Sequence, residues 1–284
     1  MPVPTLFEVL DDRVLAARSR RFAGARWLTW SRPFRALLRE HRAWARLLEP
    51  AMIHLARTKE YSYTHTVTAR GWKRSAFHAA LKPFVDDLLR FNPSASIYFL
   101  TGLSTRADGW TLHTLFAALR AAMASAAGDA WAVMYAPLAN VGQNAGDFPL
   151  HADLYRPDVL VNAFEAVPGD GSGRTTLLPA DEFFALLRTR DYVPGSVRHR
   201  IVELLTTPLR GDAYTEFYDL LHGDDNAWTA RLERDLRARQ RVIALHKYEG
   251  YLLHDRRWLH GREAPSGSVA KNRLRRLIYH PAGD

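Results

Sequence analysis

The apolar residues of the chain follow two spacings, which divide it into a helical first third and a strand-rich remainder. In residues 1–93, apolar positions three and four apart predict helices, beginning with Leu6–Ala17 and continuing through an arginine-striped segment that ends at Pro50. Thr111–Ala127 has the same spacing and predicts another amphipathic helix. Between these helices, the aromatic and β-branched runs Tyr61–Thr68 and Ser96–Thr101 predict strands.

Short strands dominate the chain after the Thr111–Ala127 helix. The segments predicted as strands are Ala130–Ala136, Leu150–Tyr155, Val159–Ala166, Thr175–Leu178, Val242–Leu245, Gly250–His254 and Arg273–Tyr279. A largely helical segment, about 181–238, interrupts them. This order favours a mainly β fold with α decoration, in which two antiparallel sheets carry N-terminal and inserted helices. No stretch is typical of a linker, so we predict a single domain over residues 1–284.

The composition limits the chemistry that the chain can carry. Of its 284 residues, 47% are hydrophobic and none is cysteine, which excludes disulfides, thiolate zinc sites and a cysteine nucleophile. Any metal site must therefore use histidine and carboxylate. No apolar run approaches the roughly 18–20 residues of a membrane span. The first twelve residues carry acids where a secretory signal needs bases, so we expect a cytoplasmic protein.

The formal net charge is +9, and part of it forms a stripe. The arginines that line one face of the predicted helix over 32–48 are Arg32, Arg35, Arg39, Arg42 and Arg46. Such a helix either packs on the protein's own core or meets an acidic partner, such as an anionic membrane surface or an acidic carrier protein. Nucleic acid is not expected, because no reader motif is present and the aromatic residues are not interleaved with the basic ones.

The sequence His151-Ala152-Asp153 is the main local sign of metal chemistry. On a strand, positions i and i+2 point to the same side, so this imidazole and this carboxylate can reach one metal ion together. Two histidines and one carboxylate form the ligand set of oxygen-activating non-haem iron. The pair alone is weak evidence, because the pattern is also common in surface strands.

A second segment near the C-terminus strengthens this interpretation. Residues 254–262 read His-Asp-Arg-Arg-Trp-Leu-His-Gly-Arg, and residues 272–276 read Asn-Arg-Leu-Arg-Arg. Together with Leu150–Asp153 and the turn Ser172–Thr175, these segments resemble the TauD and clavaminate synthase-like family of Fe(II)/2-oxoglutarate-dependent dioxygenases. That family shows Leu-His-Thr-Asp, Gly-Gly-x-Thr, Asp-Asn-Arg-Arg and Leu-His-Gly-Arg in the same order. The resemblance covers about residues 94–280.

The resemblance implies a fold and a set of roles. It implies a double-stranded β-helix over 94–280, with helices of residues 1–93 packed on the core. The implied iron ligands are His151, Asp153 and His260, and Thr175 matches the hydroxyl that helps to hold 2-oxoglutarate. An arginine after His260 should pair with the distal carboxylate of that cosubstrate, because a guanidinium binds a carboxylate in a bidentate manner. Spacing favours Arg273, and Arg276, which takes the other face of the strand, is second.

The predicted activity follows from the same resemblance. The chain is expected to use Fe(II), 2-oxoglutarate and O2 to hydroxylate, desaturate or cyclise a small molecule, such as an amino acid or a natural-product intermediate. The residues predicted to contact the substrate are Asn140, Gln143, Asn144, Tyr155 and Arg156. Two alternatives remain open. One is a hydroxylase of lipid-linked or sugar-acid substrates at a membrane surface, and the other is a basic nucleic-acid-binding protein.

Overall fold

The computed structural model describes residues 5–48, 71–128, 133–139, 147–154, 158–207, 213–266 and 273–280. The strands are β1 Phe7–Leu10, β2 Arg26–Trp30, β3 Tyr98–Leu100, β4 Val133–Ala139, β5 Phe148–His151, β6 Val159–Ala166, β7 Thr175–Pro179, β8 Arg241–Ile243, β9 Gly250–His254, β10 Trp258–Arg262 and β11 Arg273–Tyr279. The helices are α1 Arg13–Arg18, α2 Arg32–Glu40, α3 Ala76–Arg90, α4 Leu112–Ala127, α5 Ala180–Arg188, α6 Gly195–Thr206, α7 Ala213–His222 and α8 Thr229–Arg239.

The strands form two sheets. The large sheet has the order β1-β2-β3-β9-β6-β11-β4, and the small sheet has the order β5-β10-β7-β8. Neighbouring strands are antiparallel except for the parallel pair of β2 and β3. From β4 onward the chain crosses between the sheets at nearly every connection, so strands that are distant in sequence become neighbours. This arrangement is the predicted pairing of two antiparallel sheets with helices attached.

The space between the two sheets holds one of the hydrophobic cores. Residues of both sheets meet in it, including Phe99, Leu160 and Ile278 from the large sheet and Leu177 and Trp258 from the small one. Because strand side chains alternate between faces, even-numbered positions of β11 and β6 point to this interior, whereas Leu277 and Val161 point outward. We call the interior side of each sheet its inner face.

Helices cover the outer face of each sheet. Helices α3 and α4 pack on the large sheet, where Phe77, Leu81, Leu115 and Leu119 join the outward residues of its strands. Ser75 caps α3, and Thr111 caps α4 in a capping box with Thr114. Helices α5–α8 form the predicted insertion and pack on the small sheet through a core of their own. The insertion therefore lies against the sheet that carries β5 and β10.

The predicted N-terminal helix Leu6–Ala17 is wrong in its first half. Residues 7–10 form strand β1, and α1 begins only after the N-cap Asp12. Strand β1 pairs with β2 and stacks Phe7 on Trp30 with ring centroids 4.9 Å apart. The local apolar spacing suits either element, and this pairing with a strand twenty residues away selects the extended form. The strand predicted over 61–68 lies outside the described residues.

The arginine-striped helix packs on the protein's own core. Helix α2 ends at Glu40, and residues 42–48 are helical again after a turn at His41. Phe34 and Leu38 of α2 are fully buried, so its apolar face is covered. Arg35 and Arg39 of the same helix lie beside the buried carboxylate of Asp108. Among the helices that the structure describes, none has the length and apolarity to cross a membrane.

Candidate metal centre

The first ligand candidate, His151, ends strand β5 and is buried on the inner face of the small sheet. Its Nδ1 lies 2.9 Å from the backbone oxygen of Pro149, so Nδ1 carries the proton and donates to that carbonyl. The other nitrogen, Nε2, is buried and has no hydrogen-bond partner among the described residues. A buried acceptor without a partner is costly, and a bound metal ion would satisfy it.

The second candidate, His260, lies on β10, the strand next to β5. The register places His260 directly opposite His151, and the two rings lie 4.4 Å apart at 78°. Sequence analysis did not predict β10 as a strand, because Trp-Leu-His-Gly-Arg holds a glycine and no β-branched residue. Pairing with β5 on one side and β7 on the other makes this segment a central strand.

Asp153 completes a group of three. One of its carboxylate oxygens lies 3.5 Å from His151 Nε2, and the other lies 3.6 Å from His260 Nε2. The three ligand atoms lie within 4.8 Å of one another, and all three residues are buried. Adjacent ligands of an octahedral ion with bonds of about 2.1 Å are about 3 Å apart. The three side chains form a buried metal-binding site.

Asp153 lies beside the two histidines, but strand alternation, as predicted from the sequence, does not place it there. Strand β5 ends at His151, so the alternation of a strand does not place Asp153. The backbone N–H groups of Asp153 and Leu154 instead donate to the carboxylate of Asp255, at 3.1 and 2.7 Å. Asp255 lies in the turn between β9 and β10. Hydrogen bonds to a residue about a hundred positions later in the chain therefore hold the Asp153 carboxylate near the two histidines.

The charges around the group favour the protonation states that a metal needs. Burial opposes the charge of Asp153, but the Arg276 guanidinium and both histidines outweigh it, and the pKa of Asp153 lies well below its ordinary value. Burial lowers the pKa of His151, and His260 lowers it further. Asp153 is therefore an anion and His151 is neutral near pH 7, which are the forms that bind a divalent cation.

Further polar groups share the interior with the three ligand candidates. Arg276 donates to Asp153 and, through Nε at 2.9 Å, to the side-chain oxygen of Asn162. Burial raises the pKa of Tyr251, which lies in this cluster, to about 12, so its hydroxyl stays protonated. Thr175 is buried on β7 and pairs in register with Arg262 of β10. The inner faces thus carry two guanidinium groups, those of Arg276 and Arg262, and two hydroxyls, those of Tyr251 and Thr175.

Several predicted site residues, or their side chains, lie outside the described residues. Arg273 is the first residue of β11, but its side chain lies outside the described residues, and its role stays a prediction. The five predicted substrate-contacting residues also lie outside them: Asn140, Gln143, Asn144, Tyr155 and Arg156. Thr175 and Arg276 are both buried in the structure.

One group near the site, on α7, was not predicted from the sequence. Tyr214, Tyr218 and His222 recur every four residues on one side of this helix, and neighbouring rings lie 5.8 and 5.0 Å apart. The Tyr214 ring lies 6.0 Å from that of His151, and His222 Nε2 lies 2.8 Å from the backbone oxygen of Leu150. The four-residue aromatic spacing was the available signal. The helical insertion therefore borders the metal-binding group.

Comparison with known proteins finds similarity in structure but not in sequence. No protein-family model matches the chain, and no curated protein does. A solved asparagine oxygenase with Fe(II), 3-hydroxyasparagine and succinate is 13% identical, with 84% of this chain and 91% of that one covered at a TM-score of 0.39. The PvcB protein from Pseudomonas aeruginosa is 14% identical, with 96% of this chain and 91% of that one covered at a TM-score of 0.38.

A third solved structure is the non-haem iron oxygenase OrfP with Fe and alpha-ketoglutaric acid. It is 14% identical, with 84% of this chain and 92% of that one covered at a TM-score of 0.37. Two of these three solved structures, the asparagine oxygenase and OrfP, are oxygenases by name. At such identities and TM-scores, these likenesses by themselves assign neither chemistry nor substrate to the chain.

Proposed function

We propose that the chain is an Fe(II)/2-oxoglutarate-dependent oxygenase with a double-stranded β-helix core. One observation carries the proposal: His151, Asp153 and His260 converge in a buried site, and no described residue forms a hydrogen bond with His151 Nε2. This donor set of two imidazoles and one carboxylate is typical of non-haem iron oxygenases, in which it leaves coordination positions for a cosubstrate and O2. Bound iron would couple oxidative decarboxylation of 2-oxoglutarate to oxidation of a C–H bond by O2.

The residues of the chain would hold, orient and shield the reactants. His151, Asp153 and His260 would hold the iron, and Asp153 is kept anionic by Arg276. The apolar residues between the sheets exclude water from the reaction. The distal carboxylate of 2-oxoglutarate, a charge that is costly to bury unpaired, would be paired by an arginine of β11 and by Thr175. Arg273 is the first candidate for this arginine, and Arg276, whose guanidinium lies beside Asp153, is the second.

The proposed reaction is hydroxylation, desaturation or cyclisation of a small molecule. An amino acid or a natural-product intermediate is the substrate class that the motif resemblance favours. The substrate would approach next to α7, whose Tyr214 faces the His151 ring. A membrane-surface role through α2 finds no support in the fold, because the apolar residues of that helix, Phe34 and Leu38, are covered by the core.

An anaerobic titration tests the proposal. Fe(II) and 2-oxoglutarate added together to the protein should produce the weak visible charge-transfer band of a chelated 2-oxo acid. Asp153→Ala should abolish the band, and the exposed control Asp181→Ala should retain it. A wild-type protein that binds Fe(II) without developing the band would refute the cosubstrate, and one that binds no metal would refute the function.

Two arginine variants separate the candidates for the cosubstrate carboxylate. Loss of a buried charge-assisted pair costs roughly 2–5 kcal/mol, or about 30- to several-thousand-fold in affinity. Arg273→Ala should therefore weaken 2-oxoglutarate binding steeply and leave metal binding unchanged. Arg276→Ala should weaken metal binding whichever arginine binds 2-oxoglutarate, because Arg276 donates to Asp153. If only the Arg276 variant loses 2-oxoglutarate, Arg276 is the partner and the spacing argument for Arg273 is wrong.

A further inference from the structure

The carboxylate of Asp255 joins the two parts of the chain that carry the metal-ligand candidates. The residue is 1% exposed and lies five positions before His260. Its Oδ1 accepts the backbone N–H of Asp153 at 3.1 Å and lies 3.1 Å from His260 Nε2, and its Oδ2 accepts the backbone N–H of Leu154 at 2.7 Å. We propose that Asp255 is a positioning residue, which fixes the Asp153 segment relative to His260 and so forms the site before a metal binds.

The Asp153 segment needs such an anchor. Ladder hydrogen bonds of the small sheet end at His151, so they do not hold Asp153. The next residue, Leu154, has a φ of 52°, in the left-handed region. That conformation is disfavoured for a residue with a side chain. Without the hydrogen bonds to Asp255, the backbone at Leu154 would leave the left-handed conformation, and the Asp153 carboxylate would move with it.

A carboxylate suits this task because it only accepts hydrogen bonds. Each oxygen of Asp255 faces a backbone N–H, and Oδ1 also faces the His260 ring. An asparagine of the same shape has one acceptor oxygen, and its amide nitrogen would face an N–H group, donor against donor. Both backbone contacts are charge-assisted in the native protein, which makes them stronger than neutral ones.

The contact with His260 holds the imidazole ring in the absence of metal. While Nε2 carries a proton, it donates to Asp255 Oδ1, and the same nitrogen lies 3.6 Å from Asp153. The ring therefore stays beside the other two ligand candidates and does not rotate away. When a metal takes that nitrogen, the two backbone N–H groups keep the Asp255 carboxylate in place.

A matched pair of variants separates positioning from general stability. Asp158 is also buried, accepts Arg256 Nε at 2.9 Å, and accepts the backbone N–H of Asp255 on its own carbonyl at 2.6 Å. No hydrogen bond of the described residues joins the Asp158 side chain to a metal-ligand candidate. Asp158→Asn thus weakens a neighbouring buried ion pair, whereas Asp255→Asn weakens the anchor itself.

The experiment measures Co(II) binding without cosubstrate, by calorimetry and by the visible Co(II) spectrum, beside the thermal midpoint of the metal-free protein. Loss of a group that orients metal ligands typically weakens metal affinity about 10- to 100-fold. We expect that loss, with an altered Co(II) spectrum, in Asp255→Asn. For Asp158→Asn we expect a lower thermal midpoint with a Co(II) Kd within about twofold of wild type. Should Asp255→Asn not fold, Asp255→Ser, which retains one acceptor oxygen, is measured in the same way.

The outcomes distinguish this inference from the proposed function, on whose metal site it rests. If wild type binds Co(II) and the Asp255 variant binds it equally well, Asp255 is not a positioning residue, and the metal site stands. If Asp158→Asn weakens Co(II) as much as Asp255→Asn does, the effect is general destabilisation, and the inference also fails. A wild-type protein that binds no Co(II) would overturn the inference and the metal site together.

Discussion

Replacing Gly261 with alanine should damage the metal site without touching a ligand. Gly261 follows His260 on β10, and an added Cβ would lie 2.6 Å from the backbone oxygen of Phe148, 2.8 Å from Thr176 Oγ1 and 3.0 Å from the Pro149 carbonyl carbon. Close carbon–oxygen contacts are about 3.3–3.6 Å. The β5 backbone would therefore have to withdraw by roughly 0.7–1 Å. The backbone at Gly261 is not left-handed, so the cost comes from this contact alone.

The displaced residues are the ones that orient His151. Its Nδ1–H donates to the Pro149 carbonyl oxygen, and His151 itself lies opposite His260 across the same strand pair. Metal–ligand distances tolerate changes of about 0.2 Å, so a shift several times larger should weaken binding. We expect the Co(II) Kd to rise at least about tenfold, equivalent to about 1.4 kcal/mol. Overpacking should also lower the free energy of unfolding by about 1–3 kcal/mol.

Calorimetric Co(II) titration and chemical denaturation measure the two effects. Gly169→Ala is the matched control, because Gly169 lies in an exposed turn and an added Cβ there meets no atom of the described residues within 4 Å. The control should resemble wild type in both measurements. A Gly261→Ala protein that binds Co(II) within about twofold of wild type would refute the reasoning that the close approach of β10 to β5 sets the ligand geometry.

Three further substitutions test the stability and the folding of the protein. Burial opposes the charge of Glu249, but Arg18 and other partners outweigh burial and lower the pKa of Glu249. The ionised carboxylate therefore contributes to the free energy of unfolding above a glutamate's ordinary pKa of about 4.3. This contribution is lost as the pH falls through the lowered pKa. Glu249→Gln should thus be less stable than wild type at pH 7, with a gap that narrows below about pH 4 in urea denaturation, and a constant gap would contradict this. Phe217→Ala, in the insertion's core, should cost about 3–5 kcal/mol of unfolding free energy but leave the Co(II) Kd of the folded protein within about threefold; a tenfold change would show that the insertion shapes the site. Gly250→Ala should yield no soluble folded protein on expression, because its Cβ would lie 1.8 Å from the Asn162 backbone oxygen; a wild-type thermal midpoint would refute that packing.

The pattern of residues along the chain was sufficient for most of the elements that surround the site. Alternation over Val159–Ala166 and Arg273–Tyr279, and helical spacing over Thr111–Ala127, correspond to β6, β11 and α4. These segments bury one face or both, so the apolar spacing within each segment is enough to predict its secondary structure. Local pattern did not suffice for β1, where the spacing of Leu6–Ala17 suits a helix and pairing with β2 decides otherwise. It also did not suffice for β10, whose two neighbours come from elsewhere in the chain.

The same division applies to the candidate site. The amino-acid sequence shows which side chains are available: a His-x-Asp pair, a distant histidine in a segment that resembles a family motif, and no cysteine. The sequence does not show that His151 and His260 lie opposite each other, because that contact depends on the register between two strands more than a hundred residues apart. Nor does it show that Asp153 is held by Asp255 and not by a strand. Local spacing encodes which face of an element a residue occupies, whereas the partner across a sheet or a turn is chosen by packing of the whole chain.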